Sequence, residues 1–557
     1  MLNGIYKLAD GISRASKRIE NVSGKALELA TVVLFAVLHF VMTAFHEPWF
    51  DEAVSWQIAR CATVSDILFK VPHYEGHPQL WHLILVPFAK LGLPYELSLA
   101  VVTLLFVGGA VVLLVYKSPF PRVIRCLLPF TYFIFYQYGV IARAYCVMLF
   151  VFVCLAIVYP KRNVSPGRYA IALAALCGTS AFGIVMAGGI ALAWLIEIWE
   201  EKKWDKRICW LTVLFCVALF FVISVFPADD TFATNLVIDP KERNPFWLRL
   251  FYMVFASLSD VLLTDAYGEY SLLVTAKFDF VAILMAGILG ALLLVLIFCY
   301  GKRKKTAFMF FLPYLSFGTF AAIVYMNVHH LGIVQFLFLF WVWISLDKTE
   351  ERGKVSWLEA IPEVARRRGL ALGTCLCMCI MLGWNLSACF QEIEKEYAVG
   401  RSLSGYIAEH ELDHYKIMTS WRCLYDAEDS TRVISVDTNC CTLAMDIAPY
   451  FQDNIIYNFA EGKQEGNYIS HKVPTDEENE QNYAKWRALG KPDVLLMYPD
   501  FSSVWPDGEV TAKDYVSVYS VRADQIWKMV SENTYVHLYV RRELAEELGL
   551  YTDVGNE

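Results

Sequence analysis

The chain has 557 residues, of which 57% are hydrophobic and only 19% charged, with a mean hydropathy of +0.42. Soluble domains carry about 25% charged and under about 50% apolar residues, so a single water-soluble core is excluded. A net charge of -8 without any long basic block excludes nucleic acid as a partner, because such binding needs clustered Lys and Arg.

A basic segment, 1–25, carries Lys7, Arg14, Lys17, Arg18 and Lys25 and precedes an apolar run over 26–45. About 20 apolar residues span a bilayer, and flanking Lys and Arg stay in the cytoplasm. No small-x-small cleavage site follows, so the segment predicts an uncleaved signal anchor with a cytoplasmic N-terminus. A polar loop, 46–78, and a short apolar stretch, 79–91, come next. Runs of spanning length then cover 95–115, 122–138, 142–159, 167–183, 184–199, 207–227, 277–300, 306–326, 330–346 and 369–388.

Basic residues mark the loops 161–168, 202–207, 302–305 and 348–368 as cytoplasmic. Alternation then puts 51–78, 139–145, 228–275, 327–330 and everything after 387 outside. At about 13 residues, 79–91 is too short to cross and reads as re-entrant or interfacial. The expected fold is a polytopic α-helical membrane protein of about 11–13 transmembrane helices over 26–388. Over 389–557 charge rises, and β-rich runs at 416–421, 432–436, 454–458, 494–498 and 535–541 alternate with helical stretches, which predicts a soluble extracytoplasmic α/β domain.

The cysteines from Cys61 to Cys389 sit in or beside apolar stretches and read as small buried hydrophobes. Cys375, Cys377 and Cys379 spread around one helix without a His or acidic companion, which argues against a metal site. Cys423, Cys440 and Cys441 would supply one disulfide in an external domain.

Acidic and imidazole groups crowd the membrane surface in His46-Glu-Pro-Trp-Phe-Asp51-Glu52 and again in His73-Tyr-Glu75-Gly-His77-Pro78. Pro48 followed by acids also suits an ordinary helix start. A carboxylate against a bilayer loses hydration, which raises its pKa and makes it a better proton acceptor; Asp51 stands where that work would be done. Glu52 points about 100° away on a helix, so a supporting role, on a metal or the donor, fits it. Glu75 and His77 are candidates for a cation, a phosphate or interfacial packing. Arg143 opens a span on the external side and needs either an anion or the headgroup layer. His329 and His330, in another short external loop, can reach the same face.

Phe50-Asp51-Glu52-Ala-x-Ser-Trp56, Glu75-Gly-His77-Pro78 before an apolar stretch, Ala142-Arg143-Ala-Tyr145 and His329-His330-Leu-Gly332 together resemble the GT-C membrane glycosyltransferases. The likeness is to the bacterial branch related to protein O-mannosyltransferases and aminoarabinose transferases of lipid A, and it covers most of 26–346. It implies a plasma-membrane enzyme that transfers a sugar, with inversion, from a polyprenyl-phosphate donor to an extracytoplasmic glycan, lipid or protein. In that family the first-loop acid, here Asp51, is the general base. The resemblance makes Glu75, His77, Arg143, Tyr145, His329 and His330 candidates for holding the donor phosphate or substrate. It also makes Glu52, Glu75 and His77 candidates for a divalent cation, Mg or Mn. Ile141 stands where many relatives carry an acid, so a second acidic metal ligand is missing.

Two other classes share these features. A multi-spanning transporter would place ionisable groups near the bilayer midplane, whereas the spans here hold few acids. A lipid-linked oligosaccharide ligase or phosphotransferase would use the same external carboxylate. No Gly-rich nucleotide-binding fingerprint is present, which fits a lipid-borne donor.

Overall fold

Along the helix Ala26–Phe45, Glu28, Thr31, Phe35, His39 and Met42 are buried at helical spacing, while Leu29, Val33, Leu34, Val37, Phe40 and Val41 stay exposed. One stripe packs inward, and the rest is an apolar surface suited to lipid. The computed structural model describes residues 2–202, 204–231, 244–266, 280–347, 362–420, 422–425, 433–437, 442–459, 472–497 and 510–551. Among them, seven helices are long and apolar enough to cross a membrane: Ala26–Phe45, Tyr95–Lys117, Ala181–Glu201, Lys206–Ser224, Phe280–Lys304, Val328–Asp347 and Glu363–Glu394. Tyr145–Lys161 and Ala307–Ile323 are shorter apolar helices between them. The chain is an integral membrane protein.

The stretch 122–138 is not one regular helix. It divides into Arg122–Leu127, a tight turn Leu128–Phe130 containing Pro129, and a wide π-helical segment Phe133–Val140. Proline has no N–H for the helical ladder, and π-turns concentrate at functional sites. Arg122 is buried at the start of this stretch because Glu28 meets its guanidinium at 2.5 Å. Leu80–Lys90, at 11 residues, is about 16 Å long, half of what a crossing needs. Lys90 Nζ donates to Ala62 O at 2.8 Å, which ties the end of this helix to the end of Phe50–Cys61.

The region 228–275, expected to be an external loop, contains a buried helical segment from Phe246 to Asp260 that packs into the bundle. Its charges are satisfied internally: Arg249 Nη1 donates to Ala322 O at 2.5 Å, and Asp260 accepts from the Tyr252 hydroxyl at 2.6 Å. The segment lies so close to Phe280–Lys304 that a Cβ on Gly290 would stand 1.7 Å from Phe255 O. Gly290→Ala is therefore expected to cost about 2 kcal/mol through overpacking. A lower thermal midpoint of the purified protein would register it; an unchanged midpoint would show that the two backbones do not touch.

The C-terminal region forms a four-stranded sheet in the order β1 (Ile417–Thr419), β4 (Val494–Met497), β6 (Val530–Arg541), β5 (Tyr515–Trp527). β1 and β4 run parallel and the other pairs antiparallel. β2 (Arg422–Tyr425) and β3 (Val433–Asp437) make a separate antiparallel pair. Four of the expected β-rich runs coincide with β1, β3, β4 and β6. Among the described residues, the run 454–458 contributes an isolated bridge, Ile417 to Ile456, and β5, the longest strand, was not expected. The side chains of Cys423, Cys440 and Cys441 lie outside the described residues.

The helix Phe50–Cys61 belongs to two cores at once. Ala53, Trp56 and Ala59 pack into the membrane bundle, while Val54 and Ile58 join Leu403, Ile407, Leu443 and the sheet residues. Arg401 bolts the same junction, donating to Glu96 Oε1 and Oε2 at 2.8 and 2.9 Å and to Glu47 Oε1 at 3.1 Å.

Candidate functional site

Pro48 fixes the chain just before the helix Phe50–Cys61 begins, and the first turn of that helix carries Asp51 and Glu52. Their environments differ sharply. The Asp51 side chain is 23% exposed and forms an ion pair with Arg143, whereas Glu52 is fully buried. Glu52 Oε2 accepts from the Trp49 N–H at 3.1 Å and meets His46 Nε2 at 3.0 Å; Oε1 accepts from the Ala142 N–H at 2.6 Å. Glu52 thus clamps the main chain one residue before Arg143 and fixes where the guanidinium starts.

His46 carries the network onward. Its Nδ1 lies 2.7 Å from Glu392 Oε1, and the other oxygen of Glu392 accepts from the Tyr136 hydroxyl. Burial alone would pull the imidazolium down, but the carboxylates of Glu52 and Glu392 override it, and the His46 pKa is pushed up to about 10. The ends of three helices, two of them neighbours in the chain and the third 346 residues beyond His46, are joined by one buried cation between two anions.

Arg143 lines a recess together with Trp49, Tyr145 and His329 from the membrane domain. Its guanidinium lies 5.8 Å from the centre of the Trp49 ring. The Tyr145 hydroxyl is buried and has no hydrogen-bond partner among the described residues. The Tyr138 hydroxyl holds the His329 carbonyl at 2.5 Å. His330 stands behind this wall: its Nδ1 accepts from the Asn327 N–H at 2.9 Å, and its ring lies 4.6 Å from that of Phe182. His77 sits 6.1 Å from the Tyr145 ring, and Glu75 ends a one-turn helix closed by Gly76 at φ 62°. The structure therefore gathers Arg143, Tyr145, His329, His330 and His77 around one point. Asp51 reaches it through Arg143, and Glu52 sits behind as support.

The sequence-derived ligand set Glu52, Glu75 and His77 does not fit a divalent ion, because both oxygens of Glu52 are already engaged within the protein. Among the described residues, no three His, Cys, Asp or Glu side chains gather to hold a metal.

Sequence reasoning assigned no role to Glu392, Tyr136, Tyr397 or the residues around Trp527. Tyr397, Gln525, Ile526 and Trp527 form the wall of the recess contributed from beyond the last spanning helix. The acidic cluster Gln391-Glu392-Ile-Glu394, at the end of an apolar helix, was the one visible signal for Glu392.

No protein-family model and no curated protein matches the chain significantly. Two solved structures are similar to it. The crystal structure of ArnT from Cupriavidus metallidurans in the apo state gives a TM-score of 0.42 at 12% identity, covering 91% of this chain and 97% of that one. The crystal structure of the same protein bound to undecaprenyl phosphate gives 0.43 at 13% identity, covering 92% and 98%.

Proposed function

We propose that this protein is an inverting membrane glycosyltransferase of GT-C type that moves a sugar from a polyprenyl phosphate to an acceptor hydroxyl outside the cytoplasm. The observation that carries the reading is the part-exposed Asp51–Arg143 pair beside a recess lined by a buried Tyr145 hydroxyl that has no hydrogen-bond partner among the described residues. A guanidinium presents several donors in one plane and can exchange a carboxylate for a phosphate. When the donor phosphate takes Arg143 and the Tyr145 hydroxyl, Asp51 is released to accept a proton.

Asp51 then draws the proton from the acceptor hydroxyl as its oxygen attacks the anomeric carbon of the sugar. The bond from that carbon to the phosphate oxygen breaks with its electron pair, and polyprenyl phosphate leaves against Arg143. Electrostatic stabilisation of the leaving phosphate comes from a group already in place before reaction. Glu52 acts as a positioning residue, holding the Ala142 amide and with it the origin of the Arg143 side chain. His329 and His77 complete the polar rim around the phosphate.

The deciding experiment reconstitutes the full chain in liposomes with labelled polyprenyl-phosphate sugars and follows transfer of label to external acceptors. Transfer from at least one donor is expected. Movement of a labelled solute across the membrane, with no transfer from any donor, would replace the reading with a transporter.

Sidedness has its own check. Ser65→Cys and Glu409→Cys are exposed positions expected outside, and Glu200→Cys is one expected inside. In a background where Cys209, Cys216 and Cys379, the exposed cysteines among the described residues, and also Cys423, Cys440 and Cys441 are replaced by serine, an impermeant maleimide added to intact cells is expected to label the first two and spare the third. The reverse pattern would turn the topology over.

A further inference from the structure

β5 and β6 are joined by the two-residue turn Lys528-Met529, and this turn is driven into the membrane domain. Lys528 adopts φ 50°, a left-handed conformation that side chains disfavour by roughly 1–2 kcal/mol, and it is completely buried. Its ammonium donates to Asp260 O at 2.8 Å, Thr264 O at 2.9 Å and Asp265 Oδ1 at 3.1 Å, and lies 4.1 Å from the centre of the Trp384 ring. A strained, buried lysine held by three acceptors and an aromatic face is a fastening. Trp527 Nε1 adds a bond to Asp265 Oδ1 at 3.1 Å, and its ring packs edge-on against Tyr132 and Phe133.

The fastening places Gln525, Ile526 and Trp527 on the recess wall facing Arg143 and Tyr145. On the floor, Gln137 accepts from the Tyr132 hydroxyl at 2.9 Å through its amide oxygen, which leaves its amide nitrogen to donate elsewhere. The Gln525 side chain makes no hydrogen bond with the protein among the described residues. Trp49 Nε1 is also buried without a hydrogen-bond partner among the described residues. The lining thus combines indole and phenol faces with neutral amides, and its one cation, Arg143, is already committed to an anion.

We infer that the β5–β6 hairpin completes the sugar subsite, and that the donor sugar is neutral, with Gln525 and Gln137 as partners of its hydroxyls. This rests on the glycosyl-transfer reading. Aromatic faces cover the apolar side of a sugar ring while amides match hydroxyls as both donors and acceptors. An ammonium on the sugar would pair with the released Asp51 carboxylate and hold back the base, and a carboxylate on the sugar would compete with the phosphate for Arg143.

The test measures binding to the purified full chain in nanodiscs, using polyprenyl phosphate bare or carrying a neutral hexose, a neutral pentose, an aminopentose or a uronic acid. In the wild type, one neutral sugar is expected to tighten binding relative to the bare lipid phosphate. Gln525→Ala should lose about tenfold of that sugar increment while binding of the bare lipid phosphate stays within about twofold. Gln525→Glu should shift preference toward the aminopentose. A wild type that prefers a charged sugar would overturn the inference, as would a Gln525→Ala variant that weakens both ligands equally or neither. If the wild type binds the bare lipid phosphate no better than the corresponding lipid alcohol, it is the glycosyl-transfer reading that fails.

Discussion

Asp51→Asn is expected to lower the turnover of sugar transfer by about 10²- to 10⁴-fold, the range that a positioned general base contributes. Asparagine keeps the shape of the side chain and its place on the first turn of Phe50–Cys61, so the fold should survive. It cannot take the acceptor proton. It also releases Arg143 from its ion pair, so KM for the donor should stay level or fall while kcat collapses. Steady-state kinetics on the donor used by the wild type would show this split. A kcat within tenfold of the wild type would remove Asp51 from the mechanism, and a KM rising in step with a modest kcat loss would make it a binding residue.

Glu52→Gln is expected to destabilise the protein by about 3 kcal/mol, the low end for breaking a buried ion pair. The substitution leaves His46 with Glu392 alone and turns one of the oxygens that hold the Trp49 and Ala142 amides into a donor. Glu392→Gln should act in the same direction, and the double variant should cost less than the two single ones combined, because both act on one imidazole. The pH dependence has a defined sign. His46 titrates near 10 in the folded protein against about 6.5 unfolded, so its contribution is complete below pH 6.5 and is lost as pH rises through 10. The stability gap between wild type and Glu52→Gln should therefore narrow from pH 6.5 toward 10 in thermal unfolding. A gap constant over that range would mean that His46 is not the cation of the network.

What could be read from the sequence follows from how local each cause is. A lone arginine at the membrane surface demands an anion, so Arg143 was visible as a group in need of a counter-charge, and in the structure Asp51 supplies it. The neighbouring carboxylate was separated from Asp51 by helical geometry alone, but its partners at His46 and Ala142 depend on packing that no spacing encodes. Glu392 was hidden because Glu363–Glu394, about 48 Å long, outruns the roughly 30 Å hydrocarbon core by more than half, and its polar end reads as the beginning of a soluble domain. β5 was hidden by a register shift between Ser517 and Tyr519, since a bulge reverses the inside–outside phase on which strand recognition rests. The segment 246–260 was hidden by Arg249 and Asp260, charges that look like solvent exposure until their internal partners are seen. Gln525 and Trp527 reach the site only because a turn some 130 residues beyond the last spanning helix is pulled back into the bundle by Lys528.

The shared helix Phe50–Cys61 also has a timetable. Its bundle-facing side, Ala53, Trp56 and Ala59, finds partners as the spans are inserted, but Val54 and Ile58 wait for Leu403, Ile407 and Leu443. At roughly 5–20 residues per second, the about 385 residues from Ile58 to Leu443 take some 20–80 s to synthesise. Throughout that interval the growing chain holds the helix bearing Asp51 with one apolar stripe uncovered. The site is thus an early-made part finished late, and loss of the C-terminal region would leave behind a sticky nascent surface as well as an open recess.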